Sequence, residues 1–122
     1  MLKEIVLVGL GGGAGSILRY LTSVWLGGWN KTGFPWATFT VNMLGCLVIG
    51  MLIGLLVRQP EEQQLRLLLI TGFCGGYTTF STFASENLAL IQSGQMLTVA
   101  AYVLSSTVLG VLLVATGCMV VK

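Results

Sequence analysis

The chain has no histidine, only four acidic residues and only two prolines in 122 positions, and charged residues make up 8% of it. Soluble domains carry roughly 25% charged residues, so this composition excludes a water-exposed surface over most of the molecule. With carboxylates only at Glu4, Glu61, Glu62 and Glu86, no acid pair and no nucleophile with its base can be assembled by local spacing, which speaks against an enzyme. Cys46, Cys74 and Cys118 are far apart, without C-x-x-C spacing, and read as small buried apolar residues rather than metal or redox groups.

What the chain has is apolar length. Hydrophobic residues make up 55% of it, and charges are segregated: Lys31 to Arg58 encloses 26 uncharged residues, Arg66 to Glu86 encloses 19 and Glu86 to Lys122 encloses 35. A hydrocarbon core about 30 Å thick needs ~20 such residues per helix. Four transmembrane helices are therefore expected, near Ile5–Leu26, Trp36–Val57, Leu65–Ile91 and Met96–Val121, in a single four-helix domain over residues 1–122. The N-terminal stretch is too long, and too closely followed by further spans, for a cleaved signal peptide.

The stretch Gly9-Leu-Gly11-Gly-Gly13-Ala14 satisfies the dinucleotide pattern G-x-G-x-x-(G/A). That fingerprint needs a carboxylate about 20 residues further on to hold a ribose, and after Glu4 the next acid is Glu61. In a membrane helix the same glycines are small-xxx-small pairs, Gly9 with Gly13 and Gly11 with Gly15, which let a neighbouring helix approach closely.

Basic residues favour the cytoplasmic side. Four spans put Lys3, Arg58, Arg66 and Lys122 on one face and Arg19 and Lys31 on the other. So small a bias permits insertion in both orientations, and with it an antiparallel homodimer. The loop from Gly27 to Trp36 has turn punctuation, and its tryptophans suit the interfacial belt.

Several residues at membrane depth are polar. Arg19 either snorkels to the headgroups or stands at the mouth of a water-filled vestibule. Thr38 and Asn42 are four apart on one face; Asn42 either bonds a neighbouring helix or offers its amide to an anion. In the third span, Gly75-Gly-Tyr-Thr-Thr79 is poor material for a continuous helix. It implies a break, or at least a kink, whose freed backbone groups must face protein, water or an ion. Beyond it, Phe80 and Phe83 share a face, while Thr79, Thr82 and Glu86 follow another. The aromatic pair either simply packs or turns its electropositive ring edges toward an anion. In the fourth span Tyr102 and Ser106 begin a hydroxyl stripe, unless such hydroxyls bond their own helix.

GLGGGAGSILRY in the first span, ATFTVNMLGC in the second and TGFCGGYTTFSTFASE in the third resemble the fluoride-channel family called Fluc or CrcB. The resemblance implies an all-α, dual-topology antiparallel homodimer in a bacterial inner membrane, with a broken third helix and two pores exporting fluoride passively from the cytoplasm. It makes Phe80 and Phe83 the aromatic box and Asn42 an amide donor, with Thr79, Ser81, Thr82, Tyr102 and Ser106 as hydroxyl contacts. Arg19 then belongs to the vestibule. The resemblance further implies that Gly75 and Thr78 hold a structural sodium ion through backbone carbonyls at the dimer axis. Fluoride, sodium, lipid and a second copy of the chain are then the partners, and nucleic acid is not. Gly110 departs from the hydroxyl residue that some members carry there. A proton-coupled exporter of the small multidrug-resistance type lacks its carboxylate in this first span, leaving Glu86 as the sole candidate. A non-transporting assembly subunit leaves the polar third span without a role.

Overall fold

The computed structural model describes residues 1–27 and 33–121. Trp29, Lys31 and the rest of 28–32, together with Lys122, lie outside the described residues, so the interfacial reading of that loop and two of the counted charges have no structural account. Helix α1 spans Leu2–Gly27 and α2 spans Trp36–Leu56. The third span, Gln63 to Gln92, begins with a short turn, α3 (Gln63–Leu65), followed by a π-helical stretch over Arg66–Cys74. It continues as α4 (Gly75–Tyr77) and α5 (Phe80–Gln92), and α6 covers Met96–Val120. These are four spans long and apolar enough to cross a membrane, each within a few residues of the expected limits.

The helices pair through glycine. In hydrocarbon, association depends on close backbone packing rather than on expelling water, so small residues gather at the contacts. Helix α1 lies along the π-helical stretch and α4, and α2 lies along α6. A Cβ added at Gly76 would stand 2.9 Å from Gly12 Cα, and one at Gly72 would stand 2.9 Å from Val8 O. On the other pair, a Cβ at Gly117 would stand 2.9 Å from Met51 N. Of the two seams in the first span, Gly11 and Gly15 are buried against the third span, whereas Gly9 and Gly13 face open space.

Short connections fix the order of the spans. Gln59 N–H bonds Leu56 O, Glu62 N–H bonds Gln59 O, and Arg66 Nη2 donates back to Leu56 O, closing the turn from α2 into the third span. Helix α5 ends in a Schellman motif: Gln95 N–H reaches Leu90 O, Gly94 N–H reaches Ile91 O, and Gly94 takes φ +79°. A glycine is needed there because a Cβ disfavours left-handed backbone. Val41 and Tyr102 are completely buried, while Ile17, Leu97 and Val111 are among many apolar side chains left outside. That inversion suits a molecule whose solvent is lipid.

Gly15→Ala places its methyl against Phe73 O and Tyr77 N, backbone atoms that cannot rotate away. It is expected to cost about 1–3 kcal/mol, read as a lower midpoint for thermal loss of the monodisperse protein in detergent. Gly9→Ala, which meets nothing within 4 Å, should leave that midpoint within error; equal losses in both variants would contradict the assignment of the packed seam.

Candidate functional site

The third span leaves helical geometry at two residues. Thr78 has φ −83° and ψ 160°, Thr79 has φ −150° and ψ 121°, and α5 begins at Phe80. Thr78 ends the first half, its N–H and Oγ1 both donating to Cys74 O at 3.0 and 2.9 Å. Thr79 starts the second, its Oγ1 accepting Thr82 N–H at 3.3 Å as an N-cap.

Side chains from α1 and α2 close on this interruption from both sides. Asn42 reads the Thr79 backbone twice: its Nδ2 donates to Thr79 O at 3.1 Å, and its Oδ1 accepts Thr79 N–H at 2.9 Å. An amide nitrogen carries two hydrogens, so one N–H of Asn42 remains for another acceptor. Arg19 Nε donates to Gly76 O at 3.0 Å, with Ser16 Oγ at 3.5 Å from the same oxygen. Thr22 Oγ1 meets the Tyr77 hydroxyl at 3.2 Å.

Beside the interruption lies an open cavity of about 450 Å³, bordered by Asn42, Gly75, Thr78, Thr79, Phe80, Phe83 and Ser106 among others. Phe80 is 78% exposed, and its ring centroid is 5.8 Å from that of Phe83. Phe83 in turn stands edge-on to Tyr102 at 4.7 Å with an interplanar angle of 62°. On α6, the Ser106 hydroxyl bonds none of the described residues, whereas Thr107 Oγ1 turns back to Val103 O at 2.8 Å. The cavity thus holds a half-free amide, an unengaged hydroxyl and two phenyl rings, all of them neutral.

Not every expected residue joins it. Ser81 and Thr82 do not border the cavity; their hydroxyls lie 3.4 and 3.2 Å from Thr79 Oγ1. Tyr102 is also absent from the wall, since its hydroxyl donates to Glu86 Oε1 at 2.8 Å. Thr38 Oγ1 donates to Glu86 Oε2 at 2.8 Å, so both carboxyl oxygens of the one acid deep in the third span are engaged. Glu86 also borders a second hollow of about 290 Å³, together with Gly33, Pro35, Ser93 and Gln95. The Thr38–Glu86–Tyr102 cluster therefore connects the wall behind Phe83 to that hollow. Sequence reasoning did not assemble this cluster; its only trace was a lone acid in an apolar run and a threonine four residues before Asn42. At Gly110 an added Cβ would meet Cys46 Sγ at 3.4 Å, so α2 side chains occupy the space at that end of the hydroxyl stripe. Among the described residues no group of three or more His, Cys, Asp or Glu side chains is placed to hold a metal ion.

A family model described as CrcB-like protein, camphor resistance (CrcB), matches residues 6–118. The chain is 46% identical over 122 residues to a protein of Flavobacterium psychrophilum named fluoride-specific ion channel FluC, covering 99% of this chain and 98% of the relative. Proteins of the same name from Phocaeicola vulgatus and Nitrobacter winogradskyi are 46% and 43% identical, covering 95% and 97% of this chain and 96% and 94% of each relative. All three are named as channels, not enzymes.

Tyr102→Phe removes one of the two hydroxyl donors to Glu86 while keeping the ring against Phe83. The loss of a hydrogen bond to a carboxylate in a buried setting is expected to destabilise the protein by about 1–3 kcal/mol, measurable as a lowered thermal midpoint. The same variant in a Glu86→Leu background should lose little more, since no acceptor is left to strand; full additivity of the two losses would disprove the coupling.

Proposed function

Because the chain belongs to the CrcB family, we propose that it is a fluoride-selective channel, in which the anion passes between the neutral donors gathered beside the interruption of the third span. The observation that carries this reading is the shared cavity of Asn42, Phe80, Phe83 and Ser106. Fluoride is small and strongly hydrated, so a selective path must replace its lost water with closely spaced donors. Those donors must also be weak enough to release the ion. The second N–H of Asn42, the Ser106 hydroxyl and the positive edges of Phe80 and Phe83 meet that need without a fixed cation in the path. Thr79 adds a hydroxyl at the cavity wall, with Ser81 and Thr82 behind it in a small hydroxyl network. Tyr102 holds Phe83 in place and continues the route toward Glu86 and the second hollow, and the outer nitrogens of Arg19 give a vestibule positive potential.

The working unit in this proposal is an antiparallel homodimer with two pores in a bacterial inner membrane. The exposed Phe80 ring and the open side of its cavity favour a second copy as their cover, and the small bias of the basic residues, four against two, leaves room for insertion in both directions. A structural sodium ion at the dimer axis belongs to the same proposal, supported by two backbone carbonyls. Thr79 N–H is turned to Asn42, which frees Gly75 O from its helical partner, and Thr78 presents its carbonyl from extended backbone. Neutral carbonyl oxygens of unwound helix are suitable sodium ligands; the ion would add fixed positive charge near the path.

Liposomes containing the purified protein, with valinomycin to dissipate potential and a fluoride electrode outside, test the reading directly. Fast fluoride efflux with little chloride efflux is expected, and no efflux from folded protein would reject the channel. Phe80→Ile and Phe83→Ile remove the ring edges and should each slow fluoride efflux by about tenfold or more, a loss of roughly 1.4 kcal/mol, with the dimer intact by size-exclusion chromatography. Asn42→Asp sets a negative charge beside the anion and should abolish efflux; normal flux in that variant would remove Asn42 from the path.

A further inference from the structure

A continuous helix through residues 75–80 would make two bonds that this one lacks. Thr79 N–H would reach Gly75 O and Phe80 N–H would reach Gly76 O, following the i to i−4 rule. With Thr78 and Thr79 extended, neither donor reaches its acceptor. Nothing in hydrocarbon replaces a lost backbone bond except protein, and two side chains do so here. Asn42 Oδ1 accepts a hydrogen bond from Thr79 N–H, and Arg19 Nε–H donates one to Gly76 O.

Arg19 reaches that oxygen because its helix is locked in register. Gly11, Gly15 and Arg19 recur every four residues on one face of α1. The two glycines are pressed against the backbone of the third span, where a Cβ on Gly15 would meet Tyr77 N at 2.8 Å. The guanidinium stem therefore emerges one turn beyond the packed seam, level with the end of α4, where a helix presents unpaired carbonyls and negative potential. Ser16 approaches the same Gly76 oxygen.

We propose that Arg19 is a positioning residue for the third span: by claiming Gly76 O it replaces the Phe80 N–H bond and, with Asn42, keeps the helix from closing. The functional consequence rests on the channel reading above, because an unclosed helix is what leaves Gly75 O free and sets Phe80 at the start of α5, beside the cavity. The donor at Nε carries this role, and the charge does not. In glutamine the side-chain nitrogen occupies the same place along the chain as Nε of arginine, so Arg19→Gln keeps an N–H within reach of Gly76 O and discards the charge. Arg19→Met keeps the apolar stem and discards both.

The test compares wild type, Arg19→Gln and Arg19→Met in liposomes by two measurements. One is the fluoride efflux rate at high fluoride and high salt, where long-range attraction is screened. The other is the solid-state NMR shifts of the sequentially assigned Thr78 and Thr79 carbons, which report extended or helical backbone. Extended shifts are expected in wild type and Arg19→Gln; efflux in Arg19→Gln falls by what the vestibule charge contributes and stays about threefold or more above that of Arg19→Met. Arg19→Met should show helical shifts and an efflux loss of about tenfold or more, the scale of one buried acceptor left without its hydrogen bond. Extended shifts retained in Arg19→Met overturn the proposal, as does an equal loss of efflux in both variants. If Arg19→Met fails to assemble, Arg19→Gln decides alone: extended shifts support the role, and helical shifts refute it. Wild type with extended shifts but no fluoride efflux would reject the channel reading, and the shifts of the two variants would still decide what Arg19 does.

Discussion

A peptide group inside a bilayer has no water to fall back on, and each N–H or C=O that leaves a helix must find another partner in protein or in an ion. The backbone at Thr78 and Thr79 is where this chain meets that demand. Thr78 folds its amide and hydroxyl onto Cys74 O, Thr79 caps α5 with its own hydroxyl, and Asn42 and Arg19 arrive from neighbouring helices to take Thr79 and Gly76. Those neighbours must lie close. The Gly11 and Gly15 face of α1 gives Arg19 its reach. Gly45 gives α2 the same closeness, since any side chain there would collide with the Thr78 methyl. Close glycine packing and the polar interruption are thus parts of one solution.

The absence of charge from the cavity wall has a physical logic. A lysine or arginine facing a small anion at low dielectric would bind it too strongly to let it pass, because Coulomb energies rise steeply away from water. An amide, a hydroxyl and ring edges each contribute a fraction of that attraction. The one deep acid, Glu86, is muted by two hydroxyl donors, which also orient Tyr102 against Phe83. An electrostatic hazard near the proposed path is thereby converted into a support for one of its rings.

Much of this was legible in sequence, for definable reasons. Four spans follow from uninterrupted apolar length, which is a local property. The packed role of Gly11 and Gly15 was visible as small-xxx-small spacing, but Gly9 and Gly13 have the same spacing and face outward, because spacing does not tell a helix which way to turn. Partners distant in sequence left little trace. Asn42 could be recognised as needing a hydrogen bond, yet its pairing with both the N–H and the C=O of Thr79 depends on how α2 meets the third span. Likewise Thr38, Glu86 and Tyr102 come from three different helices, and nothing in any one of them announces the other two. The π-helical stretch Arg66–Cys74 was not expected at all, since nothing in RLLLITGFC distinguishes π from α winding.

That stretch also makes the chain's length there a structural quantity in its own right. A π-helix closes each hydrogen-bonded ring over one more residue than an α-helix does, so the segment stores extra residues within the same rise. Taking one residue out between Arg66 and Cys74 would let the segment rewind as α-helix over about the same rise, so Thr79 would keep its heading toward Asn42 and Phe80 its place beside the cavity. The segment thus acts as slack in the third span, where a change of chain length is taken up before it reaches the interruption.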